Sequence, residues 1–463
     1  MKSFTKFFAL VLLLFSAVTF AQDTEHPNRI LFTNVNVFDG VNDSLSMNTN
    51  VLVEDNLIAS VGPSITLPEG AEVIDGGGRT LMPGLVDSHV HFYLSMDGGR
   101  PAMETSRWDY FPVMGAVAAQ EWIADGFTTV RDLGGMHDGL RKVVDAGMLD
   151  GPRMYLSGGM LSQSSGHGDM LPDSQNNPEN SNLVRLGITL IADGVDEVRK
   201  AVRQNFSRGA NITKMMVGGG VAGAKGPLWA GQYTNAEISA AVEESNTRDA
   251  YVSAHIYQDA DIKRALELGV KGIEHGQFIS EETAELMKEK GGFISPYVAS
   301  IVSDEIFKHP IFGNENSFEY ARTMDMKEGA KDFVSVIKKV RPLIVFSSDI
   351  VSTNGVPARQ QRDFEKFVFA DTFGNFEALV AMTSAGGEVA AMTGRSNPYP
   401  NKLGVIEKGA YADILLVDGN PLEDITVIGG NPEWFTAEPR GRGIPSIRLI
   451  MKDGKIYKNT LSQ

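Results

Sequence analysis

The chain has 463 residues, 42% apolar and 22% charged, with a formal net charge of −16. That length allows one large domain with an accessory, or two domains, of ordinary soluble composition. The acidic balance excludes a basic nucleic-acid footprint. The absence of cysteine excludes disulfides, thiolate metal ligands and a cysteine nucleophile.

Residues 1–21 read as a secretory signal peptide: Lys2 and Lys6 precede an apolar run from Phe7 to Phe20, with the small residue Ala21 before a cut. The competing reading is an N-terminal membrane anchor, for which the run is short. The expectation is an exported protein, periplasmic or secreted, with no membrane span once the signal is removed.

From Arg29 to Met82 the sequence is a series of short, β-like segments. Apolar runs such as Ile30-Leu31-Phe32 and Val51-Leu52-Val53 are separated by Gly, Asn and Asp turn signals. The far end is similar, with DILLV at 413–417 and a hairpin around Asp453-Gly454. Two β-rich ends predict a small β-sandwich built from 22–82 plus 398–463.

The middle, 83–397, alternates strand and helix. Strands are predicted at 85–92, 128–133, 153–158, 211–217, 251–257, 272–276, 292–298 and 343–349. Helical 3.6-residue patterns occupy 195–207, 236–246, 259–268 and 281–290, with Gly209, Gly269 and Gly291 where C-terminal caps belong. The pattern predicts an α/β fold, a (β/α)8 TIM-like barrel, with an open doubly wound sheet as the alternative. The least regular stretch, 162–181, follows the third strand.

The potential ligands fall at strand ends. His89 and His91 are two apart in strand one, so both rings face one side. Two hydrogen-bonded histidines are the plainer reading; a shared metal is the sharper one. Lys214 lies within strand four, His255 near the end of strand five, His275 at the end of strand six, and Asp349 closes strand eight. In a barrel such ends converge on one pocket. His26, His137, His167 and His309 fall outside the strands.

These motifs resemble the amidohydrolase superfamily, and more closely its imidazolonepropionase-like hydrolases, which include Xaa-Pro dipeptidases. The matching stretches are PGLVDSHVH at 83–91, GFTTVRDLGG at 126–135, Lys214 with Gly218-Gly219, His255 with Tyr257, 272–277, Asp349 and GVIEKGAYADILLVDGNP at 404–421. The resemblance implies two divalent metal ions, usually zinc. His89, His91 and Asp349 would hold one, and His255 and His275 the other. Lys214, carboxylated by CO2, would bridge them. An uncarboxylated lysine reaching to the pocket rim is the alternative.

The resemblance further implies a metal-activated hydroxide attacking an amide, with Asp349 moving the proton. Asp349 as a ligand only is the alternative. Tyr257, two residues after His255, would hydrogen-bond the substrate carbonyl or oxyanion, unless it merely packs at the rim. His167, on the loop after strand three, and Tyr297 and Arg359, near strand ends seven and eight, are further substrate-binding candidates. Residues 350–364 depart from family members that often carry a histidine and a Gly-rich turn there. Met215, Met216 and Trp229 are expected to pack.

The expected activity is hydrolysis of a dipeptide or an N-acyl amino acid. Hydrolysis of cyclic amides, lactones or phosphoesters is the alternative on the same site, and a catalytically silent binding protein is a third reading. The expected partner is a small-molecule or dipeptide substrate. A homo-oligomer is left open.

Overall fold

The computed structural model describes residues 28–461 except 173, 176, 224 and 354. The signal-peptide expectation lies outside the described residues.

The chain begins with β1 (Arg29–Val37), β2 (Ser46–Glu54), β3 (Leu57–Gly62), β4 (Glu72–Asp75) and β5 (Thr80–Pro83). Ten strands follow: β6 (Leu85–Val90), β7 (Phe127–Asp132), β8 (Arg153–Leu156), β9 (Met160–Ser162), β10 (Thr189–Ile191), β11 (Thr213–Met216), β12 (Val252–Ile256), β13 (Gly272–His275), β14 (Phe293–Ser295) and β15 (Leu343–Ile344). The chain closes with β16 (Ile414–Val417), β17 (Ile447–Lys452) and β18 (Lys455–Asn459).

Strands from the two ends pair with each other. β5 and β16 pair antiparallel, Pro83 opposite Ile414, in one eight-stranded sheet ordered β18-β17-β16-β5-β1-β2-β3 with β4 beside β1. Hydrogen bonds trace it as one continuous path rather than two separate sheets.

The middle strands are parallel: β6-β7-β8 form one run, and β10-β9-β11-β12-β13-β14-β15 another. Backbone bonds join the two runs. On one side Asn211 N–H donates to Leu156 O (2.7 Å); on the other Ser88 N–H donates to Phe346 O (2.9 Å) and Asp349 N–H to His89 O (2.9 Å). The strands therefore close into a ring. Every residue of β6, β7, β8, β11, β12 and β13 is buried, as helix-covered parallel strands require. The eighth strand is shorter than predicted. Its ladder stops at Ile344, and 345–349 are carried by single bonds to β6 and β14.

The four predicted helices form as Val195–Ser207, Asn235–Asn246, Asp259–Glu267 and Glu281–Glu289. Thr234 and Glu237 make a reciprocal N-terminal cap, and the Ser280 side chain accepts from Thr283 N–H. The helix Ala358–Phe373 escaped prediction because its buried face is charged. Arg362, Glu365 and Lys366 are wholly buried beside Phe364, Val368 and Phe369, so charge interrupts its apolar face. Each charge has a partner: Arg362 meets Asp125, Glu365 accepts from the N–H groups of Val298 (2.8 Å) and Ala299 (2.9 Å), and Lys366 Nζ donates to Ile428 O (2.8 Å). Among the described residues, no helix is long and apolar enough to cross a membrane.

Arg153 of β8 ties the ring to the end sheet. It is buried, pairs with Asp413 (3.3 Å) and Asp453 (2.7 Å), and lies 3.9 Å over the Tyr411 ring. Truncating one partner strands a buried charge. Arg153→Ala is therefore expected to lower unfolding stability by about 3–5 kcal/mol, read from the urea midpoint. An unchanged midpoint would remove this arginine from the account of how the two parts are joined.

Candidate metal centre

β6 delivers His89, and His91 follows it directly. Their Nε2 atoms lie 3.2 Å apart, and both rings are buried. Asp349 reaches the same point from the far side of the seam. Its Oδ1 lies 3.5 Å from His89 Nε2 and 3.4 Å from His91 Nε2, and its Oδ2 lies 3.8 Å from His275 Nδ1. Ligand atoms of His89, His275 and Asp349 all fall within 4.8 Å of one another. His275 packs edge-on against His255, with ring centroids 4.4 Å apart.

Local backbone geometry aims these groups. His275 and Asp349 both adopt positive φ, +73° and +43°, which costs an ordinary L residue of order 1–3 kcal/mol. The turn at Asp349 is held by Asp87, whose Oδ1 accepts Ser348 N–H (3.1 Å) while its Oδ2 accepts Trp122 Nε1–H (3.0 Å). Two glycines let backbone approach the rings. A Cβ at Gly134 would sit 2.7 Å from His91 Nδ1, and one at Gly220 would collide with His167 and sit 2.7 Å from His255 Nε2.

Burial keeps the imidazoles neutral. His89 is held down at about 4 and His275 at about 3, first by desolvation. His255 is held well below the ordinary value, by burial and then by His167 and His275. Neutral imidazole is the form that ligates metal. Burial alone would raise the Asp349 carboxyl, but His89, His91 and His275 outweigh it and hold it below the carboxylate range.

Lys214 of β11 is 1% exposed, and its Nζ has no hydrogen-bond partner. Its charge helps to depress His89, His167, His255 and His275. Desolvation brings it to about 8. A buried ammonium without a partner is costly. Lys214 Nζ and His255 Nε2 are therefore two orphaned polar atoms in one pocket. Together with a donor set of imidazoles and carboxylate, they fit divalent metal.

The substrate candidates divide. Tyr257 stacks on His275 (5.1 Å, 5° between planes), and burial, then Asp349, keeps its hydroxyl protonated. His167 is buried rather than on the surface and stacks on His255 at 4.0 Å. Tyr297 is buried beside Gln361, edge-on to Trp434 at 6.5 Å, and feels the charge of Asp349. Arg359 instead lies 3.6 Å from Glu121 of the helix Tyr110–Ala124. Met215 and Met216 pack as expected, but Trp229 is 77% exposed, because its loop carries Leu228 inward and the indole outward.

Sequence reasoning missed the carboxylates that support the ligands. Glu274 Oε2 lies 2.9 Å from His89 Nδ1. Asp132 accepts from Phe92 N–H (2.8 Å) and Gly134 N–H (3.1 Å) on either side of His91. The available signal was charge inside otherwise apolar strands: Asp87, Arg131, Asp132 and Glu274.

A ring of parallel strands whose C-terminal ends gather neutral imidazoles, an ionised aspartate and a buried lysine defines a hydrolase barrel with a site for metal. The chain belongs to the amidohydrolase family, whose model matches residues 80–457, and it is a hydrolase of carbon–nitrogen bonds. It is similar to the ochratoxinase of Aspergillus niger, 30% identical over 434 residues, covering 89% of this chain and 83% of that protein. Among solved structures it resembles an amidohydrolase at 32% identity and TM-score 0.82, covering 94% of this chain and 100% of that one. It also resembles a prolidase complexed with N-methylphosphonate-L-proline at 30% identity and TM-score 0.81, covering 93% and 100%.

The depressed histidines carry a pH signature. Unfolded histidine titrates near 6.5. Between there and about 4, the unfolded chain binds more protons than the folded one, so stability falls as pH falls. Metal-free protein is expected to lose thermal stability progressively from pH 6.5 to about 4. A flat melting profile across that interval would contradict the neutral, buried state of these rings.

Proposed function

We propose that the chain is an exported, metal-dependent amidohydrolase that cleaves the amide bond of a dipeptide or an N-acyl amino acid. One observation supports the reading: His89, His91, His275 and Asp349 converge, His255 packs on His275, and the amine of Lys214 is buried without a hydrogen-bond partner. His89, His91 and Asp349 would hold one divalent ion, and His255 and His275 a second, with zinc favoured by the donor set. Lys214, as its carbamate, would stand between them. An amine lowered to about 8 is partly neutral near neutral pH, the form that adds CO2 and releases a proton. The carbamate replaces an orphaned cation with an anion able to meet metal on two oxygens. Bound, the ions would supply Lewis acidity toward a carbonyl oxygen and lower the pKa of a water.

The chain's own groups do the rest. Asp349, held ionised, takes a proton from the attacking water and returns it to the leaving nitrogen. Tyr257, held protonated, donates its O–H to the carbonyl oxygen as negative charge grows there. His167 lines the pocket over His255, and Tyr297 flanks it from the end of β14; both suit contacts with the substrate on either side of the amide.

The relatives support amide chemistry. A phosphonate on a proline nitrogen has the tetrahedral shape that amide hydrolysis passes through, and a prolidase of similar structure binds such a molecule. Export rests on the apolar run behind Lys2 and Lys6.

The protein purified with zinc is expected to carry metal and to hydrolyse members of a panel of dipeptides and N-acyl amino acids. Cyclic amides, lactones and phosphoesters on the same panel test the alternative. Asp349→Asn should lower kcat about 10²–10⁴-fold, and His89→Ala should lose bound metal by elemental analysis. Full activity in either variant would sink this mechanism. In an exporting host the mature N-terminus should follow residue 21; retention of the whole chain in the cytoplasm would remove the exported part of the reading.

A further inference from the structure

The carboxylate of Glu274 is wholly buried at the end of β13, one residue before His275. Its Oε1 accepts from Arg131 Nη2–H (2.7 Å) and from the Ser253 hydroxyl. Its Oε2 lies 2.9 Å from His89 Nδ1, and no other partner of Nδ1 is found among the described residues. Arg131 is itself fixed from three directions: Nε–H donates to Ser88 O (2.5 Å), Nη1–H to the Tyr251 hydroxyl (3.3 Å), and the guanidinium lies 4.8 Å over the Phe293 ring.

We infer that Glu274 is a positioning residue that sets the tautomer of His89, so that Nδ1 carries the proton and the Nε2 lone pair faces His91 and Asp349. This rests on the metal reading above. The reasoning is one of donors and acceptors. Arginine is always protonated, so the Arg131 contact keeps Glu274 an ionised acceptor. An acceptor at 2.9 Å favours a proton on Nδ1. A neutral imidazole has one proton, so Nε2 is then bare. That nitrogen lies 3.2 Å from His91 Nε2 and 3.5 Å from Asp349 Oδ1, where a proton would leave no lone pair for a metal ion. Carboxylates behind ligating histidines have this effect generally.

Glu274→Gln reverses the pattern while keeping the shape. Its amide oxygen must take the position facing Arg131 and Ser253, because both are donors there. The NH2 group then faces Nδ1, which must accept, and the ring proton moves to Nε2. Zinc uptake by wild type and variant, measured by competition with a chromophoric chelator on protein shown folded by circular dichroism, is the test. One of two zinc equivalents is expected to weaken about 10–100-fold, while the equivalent held by His255 and His275 keeps its affinity. Glu274→Asp keeps the charge opposite Arg131 and withdraws the acceptor from Nδ1 by one carbon. It should weaken the same equivalent and serves if the glutamine variant does not fold. Wild-type uptake of both equivalents in the folded variants would overturn the inference. So would equal weakening of both equivalents, which is the mark of general damage. No zinc uptake by the wild-type protein would overturn the metal reading, and this inference with it.

Discussion

Several hydrogen-bonding atoms in this protein are aimed at one another where water is scarce. His89 Nε2, His91 Nε2 and Asp349 Oδ1 converge within 3.2–3.5 Å, and the Lys214 amine is buried nearby with no partner. A core does not tolerate such groups unless something satisfies them. Much of the surrounding structure serves to hold them in place: closed seams, positive-φ turns at His275 and Asp349, and glycines that let backbone approach the rings.

Beneath the pocket lies a second layer of buried charge. Glu274 with Arg131 stands behind His89, and Asp87 ties the turn before Asp349 to Trp122. Further out, Arg440 bridges Asp125 and Asp363, and Arg362 meets Asp125. Buried ion pairs add little net stability. Asp87 acts directionally, since it holds the backbone of Ser348 beside Asp349. Hydrophobic packing could fill the same volume, but it could not specify which ring nitrogen carries a proton.

The closed ring also explains how distant residues become neighbours. Asp349 and His89 are separated by much of the chain, yet a single backbone bond across the seam joins them at 2.9 Å. Arg153 and its aspartates similarly lock the end sheet to β8. The site thus depends on closure as much as on its own side chains.

Much of this was legible without coordinates. Apolar strand runs and 3.6-residue helical stripes are local signals, so the alternation of strand and helix and the four amphipathic helices could be read directly. His89-Val90-His91 declares itself because alternation along a strand is strict, and charges within apolar runs marked Lys214 and Asp349. Other features had no local signature. The helix Ala358–Phe373 hides its buried face behind paired charges. Arg359, promising by position, turns to Glu121, while His167, on an irregular loop, folds inward onto His255. By itself, then, the sequence determined most of the strands, four amphipathic helices and the chemical types available at their ends, since these follow from nearest neighbours along the chain. Only the tertiary structure decided which polar groups face one another, because pairings such as Glu274 with His89 and Asp87 with Ser348 are made across strands, where spacing along the chain carries no information.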